Sequence, residues 1–311
     1  LKKNLKTFSF TFFEDDNDDL KYINKLTDKF STNHYNFDLN NIDIFDEIRQ
    51  IQTIQDEPFS DSSFLPLYIL TKNASNHVKS VITGDGADEI FLGYTNWYSR
   101  INDLLKYSKL NGIPFISQFL KSLNIFENKS FFKYLCITLD SKSSSDIFSY
   151  TKSPFTSKKL QKLGLLDNSN NEFNFKNYTN NELLDLFRNE IIESYLTGDI
   201  LTKSDRMSMY NSIELRSPYL DKNLVSEVMK IPSYLLYDGR TGKKFLREIL
   251  YENSIPESIY KRSKKGFGAP VHKIMLKKKV NEYIFDNLSD KNSSIYNYIN
   301  YDEVKVDLNK L

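Results

Sequence analysis

Residues 81–91 read Val-Ile-Thr-Gly-Asp-Gly-Ala-Asp-Glu-Ile-Phe, and within positions 84–89 two glycines stand among three carboxylates, Asp85, Asp88 and Glu89. Gly84 and Gly86 permit a tight turn and a close approach of a ligand to the amides. A helix starting at Ala87 offers unpaired N–H groups and a dipole that favour an anion, with phosphate the natural candidate. Carboxylates repel phosphate unless a divalent cation stands between them. Magnesium does this, taking one or two carboxylates together with phosphate oxygens. Asp85 and Asp88, three positions apart, could both face such a site, while Glu89 is expected to support the helix start. The plain alternative is a strand-to-helix turn whose acidic side chains cap the helix for about 1 kcal/mol. The alternating ligands and terminal Glu of an EF-hand are absent.

Two further segments carry chemistry. Lys261, Arg262, Lys264 and Lys265 precede Gly266-Phe267-Gly268 and Pro270. A charge run is commonly a solvated face, but the glycines and proline suit a shaped loop able to fold over a polyphosphate. A lysine positioned there would stabilise charge developing in phosphoryl or nucleotidyl transfer. In residues 201–221, Asp205, Arg206, Glu214, Arg216 and Asp221 place alternating charge in an apolar helical region. A structural salt-bridge network beneath a site is the expected reading, since buried Arg–carboxylate pairs hold geometry better than they add stability.

The elements that must position these segments follow from periodicity. Phe8, Phe10 and Phe12 alternate with Ser9 and Thr11, a strand over 5–13. The acidic residues 14–19 start a helix whose apolar stripe is Leu20, Ile23, Leu26 and Phe30. A second strand is expected at 35–39, a helix through Ile44, Ile48 and Ile51, and a third strand at 78–83 entering the acidic turn. Strand–helix alternation is the rhythm of a parallel sheet covered by helices, in which ligands sit at the carboxyl ends of the strands. From 101 to 180 the signal weakens. From 181 it is helical, with Leu184, Phe187, Ile191 and Tyr195 on one face and further helices at about 199–210, 222–230 and 243–252.

Composition removes several classes. The 42 basic and 41 acidic residues leave a net charge of +1, which gives no global attraction to nucleic acid or anionic membrane. One cysteine, Cys136, cannot form an intrachain disulfide and is expected to be a small buried hydrophobe, and three scattered histidines fit no metal-ligand spacing. No apolar run approaches the roughly 18 residues of a membrane helix. Without a secretory signal, a cytoplasmic location is expected.

The three clusters, in this order, resemble the synthetase domain of B-type, glutamine-hydrolysing asparagine synthetases. Residues 83–94 look like that family's S-G-E-G-A-D-E-x-F-x-G-Y turn. Residues 205–221 are similar to its D-R-x-S-M-x-x-x-x-E-x-R-x-P-F-L-D block, and 261–270 to its R-x-K-x-G-F-x-x-P loop. Residues 5–12 and 56–66 match two weaker segments, so the resemblance covers roughly 5–280. It implies a fold of the α/β class, a parallel sheet of the adenine-nucleotide-binding (PP-loop ATPase-like) type with a largely helical C-terminal half. The expected division is an α/β nucleotide-binding part (1–100), a variable helical insertion (101–180), a helical part completing the active site (181–285) and a tail (286–311).

The resemblance also implies a reaction. ATP would adenylate the side-chain carboxylate of aspartate, and ammonia would attack the β-aspartyl-AMP to give asparagine and AMP. Carried over by motif position, Phe10 would line the adenine pocket, Thr83 and Gly84 would contact ATP, and Asp88 would hold magnesium-pyrophosphate. Lys264 would stabilise charge on the α-phosphate, and Asp85, where the family often has Glu, would orient ammonia or accept its proton. ATP and Mg2+ are the implied cofactors, aspartate and glutamine-derived ammonia the partners, and a homodimer a compatible assembly. Neither the family's S-G-G-x-D-S pyrophosphate loop nor its glutaminase domain occurs in these residues, so the chain reads as a fragment with poor turnover alone. Competing readings are an amide-forming relative acting on another carboxylate, with 56–66 lining the acceptor pocket, and a non-catalytic synthetase-like domain. A nucleic-acid-binding protein is weaker, since its basic loop is isolated.

Overall fold

The alternation around Phe8 and Phe10 does produce a strand, β1 (Lys6–Thr11). The computed structural model describes residues 4–11, 17–38, 42–57, 59–99, 157–165, 178–262 and 266–308. Phe12, Cys136, Lys264 and nearly all of the 101–180 segment lie outside the described residues. The helix α1 (Asn17–Phe30) connects β1 to a parallel partner, β2 (Asn33–Asp38), with Phe8 opposite Tyr35 and Phe10 opposite Phe37. One face of this pair is aromatic, Phe8 stacking on Tyr35 with ring centroids 5.4 Å apart. The other is polar. His34 contacts Thr7 Oγ1 through Nδ1 at 2.9 Å and Ser9 Oγ through Nε2 at 3.0 Å, and Ser9 donates to Asn36 Oδ1 at 2.7 Å.

Helix α2 (Ile44–Ile54) follows as the isoleucine spacing predicts, capped by Asp43, which accepts from the Phe45 amide at 3.1 Å. Helix α3 (Phe64–Ala74) was not foreseen, because its apolar residues run together without a helical gap and buried ones surround it. Next come β3 (Ser80–Ile82) and α4 (Ala87–Ile90). Beyond the undescribed stretch lie α5 (Ser157–Lys162), α6 (Asn180–Glu190), a wide π-type stretch (Ile191–Leu201) and α7 (Thr202–Tyr210). β4 (Glu214–Arg216), α8 (Lys222–Met229), α9 (Ser233–Leu236) and α10 (Lys244–Glu252) follow. The chain continues through α11 (Glu257–Tyr260), α12 (Val271–Met275), α13 (Lys278–Ser289) and α14 (Tyr301–Leu308).

The strands are parallel, as expected, but the described residues form two two-stranded sheets rather than one extended sheet. β3 pairs not with β1 or β2 but with β4, Val81 opposite Leu215. β4 has three residues, Glu-Leu-Arg, too short and too charged for a strand period to show in a block that otherwise reads as helix.

The chain divides into two units, the first comprising 1–87, 195–226 and 244–281, the second 88–194, 227–243 and 282–311. In the first, α3 and α7 pack closely, Thr71 Oγ1 donating to Met207 O at 3.1 Å and Asn211 Nδ2 to Tyr68 O at 3.2 Å. In the second, α6 is stopped at its start by a Thr179–Glu182 capping box and buries Leu183 and Phe187. Arg188, 1% exposed, donates to Val228 O and Ile231 O at 2.8 and 3.1 Å. The buried guanidinium thus bonds backbone carbonyls at and just after the end of α8, Val228 O also accepting from the Ile231 amide. Among the described residues, no helix is long and apolar enough to cross a membrane.

Candidate active site

In the first unit, the strand end at β3 is prolonged by the Thr83 amide, which donates to Arg216 O at 2.9 Å. That places the Thr83 hydroxyl 2.8 Å from Ser217 Oγ and lets it donate to Asp85 Oδ2 at 3.1 Å. Ser204, near the start of α7, donates to the same oxygen at 3.2 Å. With the Thr83 proton directed to Asp85, Ser217 donates to Thr83. Two hydroxyls, from Thr83 and Ser204, thus converge on one half-buried carboxylate, with Ser217 backing Thr83. Such donors fix a carboxylate's direction without neutralising it. Gly86 has φ +86°, and a Cβ there would run into the Leu220 side chain, whose Cγ would be 2.8 Å away.

In the second unit, the Asp88 carboxylate lies over Gly93, where a Cβ would meet Asp88 Cγ at 2.7 Å and Cα at 2.9 Å. The Gly93 amide donates to Asp88 O at 2.7 Å. Lys243 sets its ammonium 2.8 Å from Asp88 Oδ1. Glu89 adds to its expectation. It stands in the first turn of α4 but is 2% exposed and accepts a hydrogen bond from the Tyr94 hydroxyl, so it also serves the interior.

Phe10 and the basic loop meet within the first unit. Phe10 packs edge-on to Phe267 with centroids 4.9 Å apart and ring planes at 80°. The position of a Cβ at Gly268 would be 3.2 Å from Ser62 Oγ, so the loop also touches the 59–63 segment. The loop's base is fastened to α1, Arg262 pairing with the Asp19 carboxylate and lying 4.3 Å over the Tyr22 ring. Lys264 lies outside the described residues.

The charged block 205–221 is not one network. Arg206 reaches Asp56 at 2.7 Å and Glu57 at 3.5 Å; Arg216 pairs with Glu214 on the same exposed strand; Asp221 accepts from the Asn223 and Leu224 amides at the head of α8. The buried charge of this region is one that the pattern did not single out, Lys203. It is 7% exposed, bonds the Asp61 carboxylate, and donates to Ser63 Oγ at 2.6 Å. Burial pushes the Asp61 carboxyl upward, but the Lys203 charge and the hydrogen bonds from Lys203 and Ser63 outweigh it and hold it below the usual carboxylate range.

Of the site residues expected from sequence, Thr83 and Asp85 are joined by a direct hydrogen bond, with Gly84 between them. Phe10 joins the loop through Phe267. Ser204, Ser217, Lys203 and Lys243 were missed. Serine hydroxyls leave no pattern, whereas Lys243 follows a glycine-bracketed turn, Gly239-Arg240-Thr241-Gly242, that could have drawn attention to it. Among the described residues, no cluster of three or more His, Cys, Asp or Glu could hold a metal unaided.

The asparagine synthase family matches residues 1–310, and the chain belongs to that family. It is 26% identical over 313 residues to asparagine synthetase [glutamine-hydrolyzing] 1 of Bacillus subtilis (strain 168), covering 96% of this chain and 47% of the relative. A putative asparagine synthetase [glutamine-hydrolyzing] of Mycobacterium tuberculosis (strain ATCC 25618 / H37Rv) is 28% identical over 229 residues, 70% of this chain and 33% of the relative. Over 90 residues, a putative asparagine synthetase [glutamine-hydrolyzing] 2 of Methanocaldococcus jannaschii is 39% identical, spanning 29% of this chain and 17% of the relative. The chain therefore spans less than half the length of these curated relatives.

Proposed function

We propose that the chain carries the synthetase chemistry of an ATP-dependent amidation that converts aspartate to asparagine. In the first half-reaction a side-chain carboxylate oxygen of aspartate attacks the α-phosphorus of ATP, forming β-aspartyl-AMP and releasing pyrophosphate. In the second, ammonia attacks the acyl carbon, loses a proton and expels AMP. The observation that carries this reading is the Asp85 carboxylate, held by the Thr83 and Ser204 hydroxyls inside a family-matched turn. A carboxylate fixed in direction suits the second step, in which an amine must be aimed and a proton accepted.

The other roles follow residue by residue. Phe10 and Phe267 offer an apolar edge for adenine, and Thr83 and Gly84 stand at a strand end, where nucleotides bind in open α/β sheets. Asp88 fits a magnesium ion that draws its remaining ligands from phosphate oxygens and water, since that ion needs only one or two protein carboxylates. Lys243 holds Asp88 Oδ1, so its ammonium would compete with a magnesium ion for this carboxylate. When bound, magnesium would neutralise charge on the polyphosphate. Lys264 is proposed to meet the α-phosphate charge, and glutamine hydrolysis by a glutaminase domain is the proposed ammonia source, as the relatives' names suggest. A soluble cytoplasmic enzyme acting as a homodimer completes the proposal.

The test, made on the complete protein, is incubation with ATP, magnesium, aspartate and ammonium, with AMP and asparagine quantified. Equal amounts of both are expected, and Lys264→Ala should form no AMP while keeping the wild-type circular-dichroism spectrum. AMP formed with another carboxylate but not aspartate would transfer the acceptor assignment. Wild-type turnover by Lys264→Ala would sink the carried-over mechanism.

A further inference from the structure

Lys203 is a costly residue for its position. Its side chain is 8% exposed, its ammonium bonds Asp61 and Ser63, and Asp199 Oδ1 is 3.9 Å away. Taking an ammonium and a carboxylate out of water costs several kcal/mol per ion, and apolar residues of similar volume are often as stabilising. What a buried ion pair supplies is direction, and the neighbouring contacts show where that direction is used.

Lys203 and Ser204 are adjacent on α7, so their side chains leave the helix about 100° apart. Lys203 reaches the 61–63 segment that enters α3, and Ser204 reaches Asp85 in the turn after β3. Farther along α7, Arg206 holds Asp56, and the Met207 carbonyl accepts from Thr71. The 56–63 segment and α3 thus grip one side of α7. With that side held, the rotation of the helix about its axis is set, and so is the place of the Ser204 hydroxyl.

We propose that Lys203 is a positioning residue for Asp85: its buried contact with Asp61 and Ser63 fixes the rotation of α7 and thereby holds the Ser204 hydroxyl on the Asp85 carboxylate. The arrangement links the segment expected to line the acceptor pocket with the residue expected to meet ammonia. That catalytic consequence rests on the function proposed above; the positioning itself does not.

Hydrogen exchange of the full chain tests the positioning directly, in wild type, Lys203→Met, Lys203→Arg, Ser204→Ala and the Lys203→Met/Ser204→Ala double variant. Exchange of the 83–87 amides should quicken about tenfold in Lys203→Met and in Ser204→Ala, and no further in the double variant, because both act through one contact. Lys203→Arg, which keeps the charge, should stay within about twofold of wild type. Wild-type exchange at 83–87 in Lys203→Met overturns the proposal. So does an even acceleration over the whole first unit with Ser204→Ala unchanged, the outcome of a merely structural role. Amide formation by Asp85→Asn is measured separately: wild-type rates there would remove the role of Asp85 and leave the exchange result standing.

Discussion

The ammonium of Lys243 stands 2.8 Å from Oδ1 of Asp88, and it is delivered from a left-handed backbone with φ +54°. The Lys243 amide donates to Phe91 O at 3.0 Å, which ties that backbone to the helix end beside Asp88. A non-glycine residue in this region is strained by roughly 1 kcal/mol. The ion pair is about a quarter exposed on both sides, 27% and 26%, and at that screening is worth about 1 kcal/mol or less. Strain and attraction are of similar size and opposite sign.

Replacements at 243 should separate the two. Lys243→Ala loses the pair and keeps the strain, and should be about 1 kcal/mol less stable than wild type in urea unfolding. Lys243→Gly loses the pair but relieves the strain, and should recover most of that loss. Equal stability of the two variants would show that the backbone at 243 is relaxed in solution.

The two glycines of the acidic turn should behave differently. Gly86→Ala forces a side chain onto φ +86° and against Leu220, and should cost about 2–4 kcal/mol from strain and overpacking together. A Cβ at Gly84 meets nothing within 4 Å. Gly84→Ala should therefore leave stability within about 0.5 kcal/mol of wild type while weakening ATP-dependent AMP formation, if backbone approach to the nucleotide needs that space. Chemical denaturation alongside an AMP assay decides it; a Gly84→Ala protein with full activity removes Gly84 from the binding surface.

The contrast between these glycines marks what the sequence could and could not reveal. Strong local periods were legible: β1, β2, α1, α2 and the helices α6, α7, α8 and α10 follow from alternation or apolar stripes. The carboxylate turn was legible because glycine and aspartate in that density serve few purposes. Long-range pairing was not. β4 is three residues with two charges, and its register with β3 is decided by what lies 134 positions away in sequence. The same holds for Ser204 and Ser217, whose hydroxyls gain meaning only when Asp85 and Thr83 arrive beside them. The inward role of Glu89 was hidden because a carboxylate in a first helical turn normally faces the dipole and water, whereas here Tyr94 satisfies it in the interior.

The Asp61–Lys203 pair makes a prediction about pH whose sign can be worked out. In the folded protein burial raises the Asp61 carboxyl, but Lys203 and the Ser63 hydrogen bonds outweigh it and bring it below its ordinary 3.8. The unfolded chain then takes up this proton first as the pH falls. Asp61 accordingly contributes stability that is present above its unfolded value and is lost as the pH drops through the folded one. Lys203→Met removes the opposing charge and one donor while burial and the Ser63 hydrogen bonds remain, so the folded carboxyl is held down less and this contribution shrinks. Wild type and Lys203→Met should differ least near pH 3 and most at neutral pH, where breaking the buried pair should cost about 3 kcal/mol. Urea unfolding across that range measures it, with Lys203→Arg expected to keep the wild-type slope. Parallel stability curves for wild type and Lys203→Met would mean that the two charges are not paired in solution, and the hold of α7 on Asp85 would then have to come from the Arg206 and Thr71 contacts.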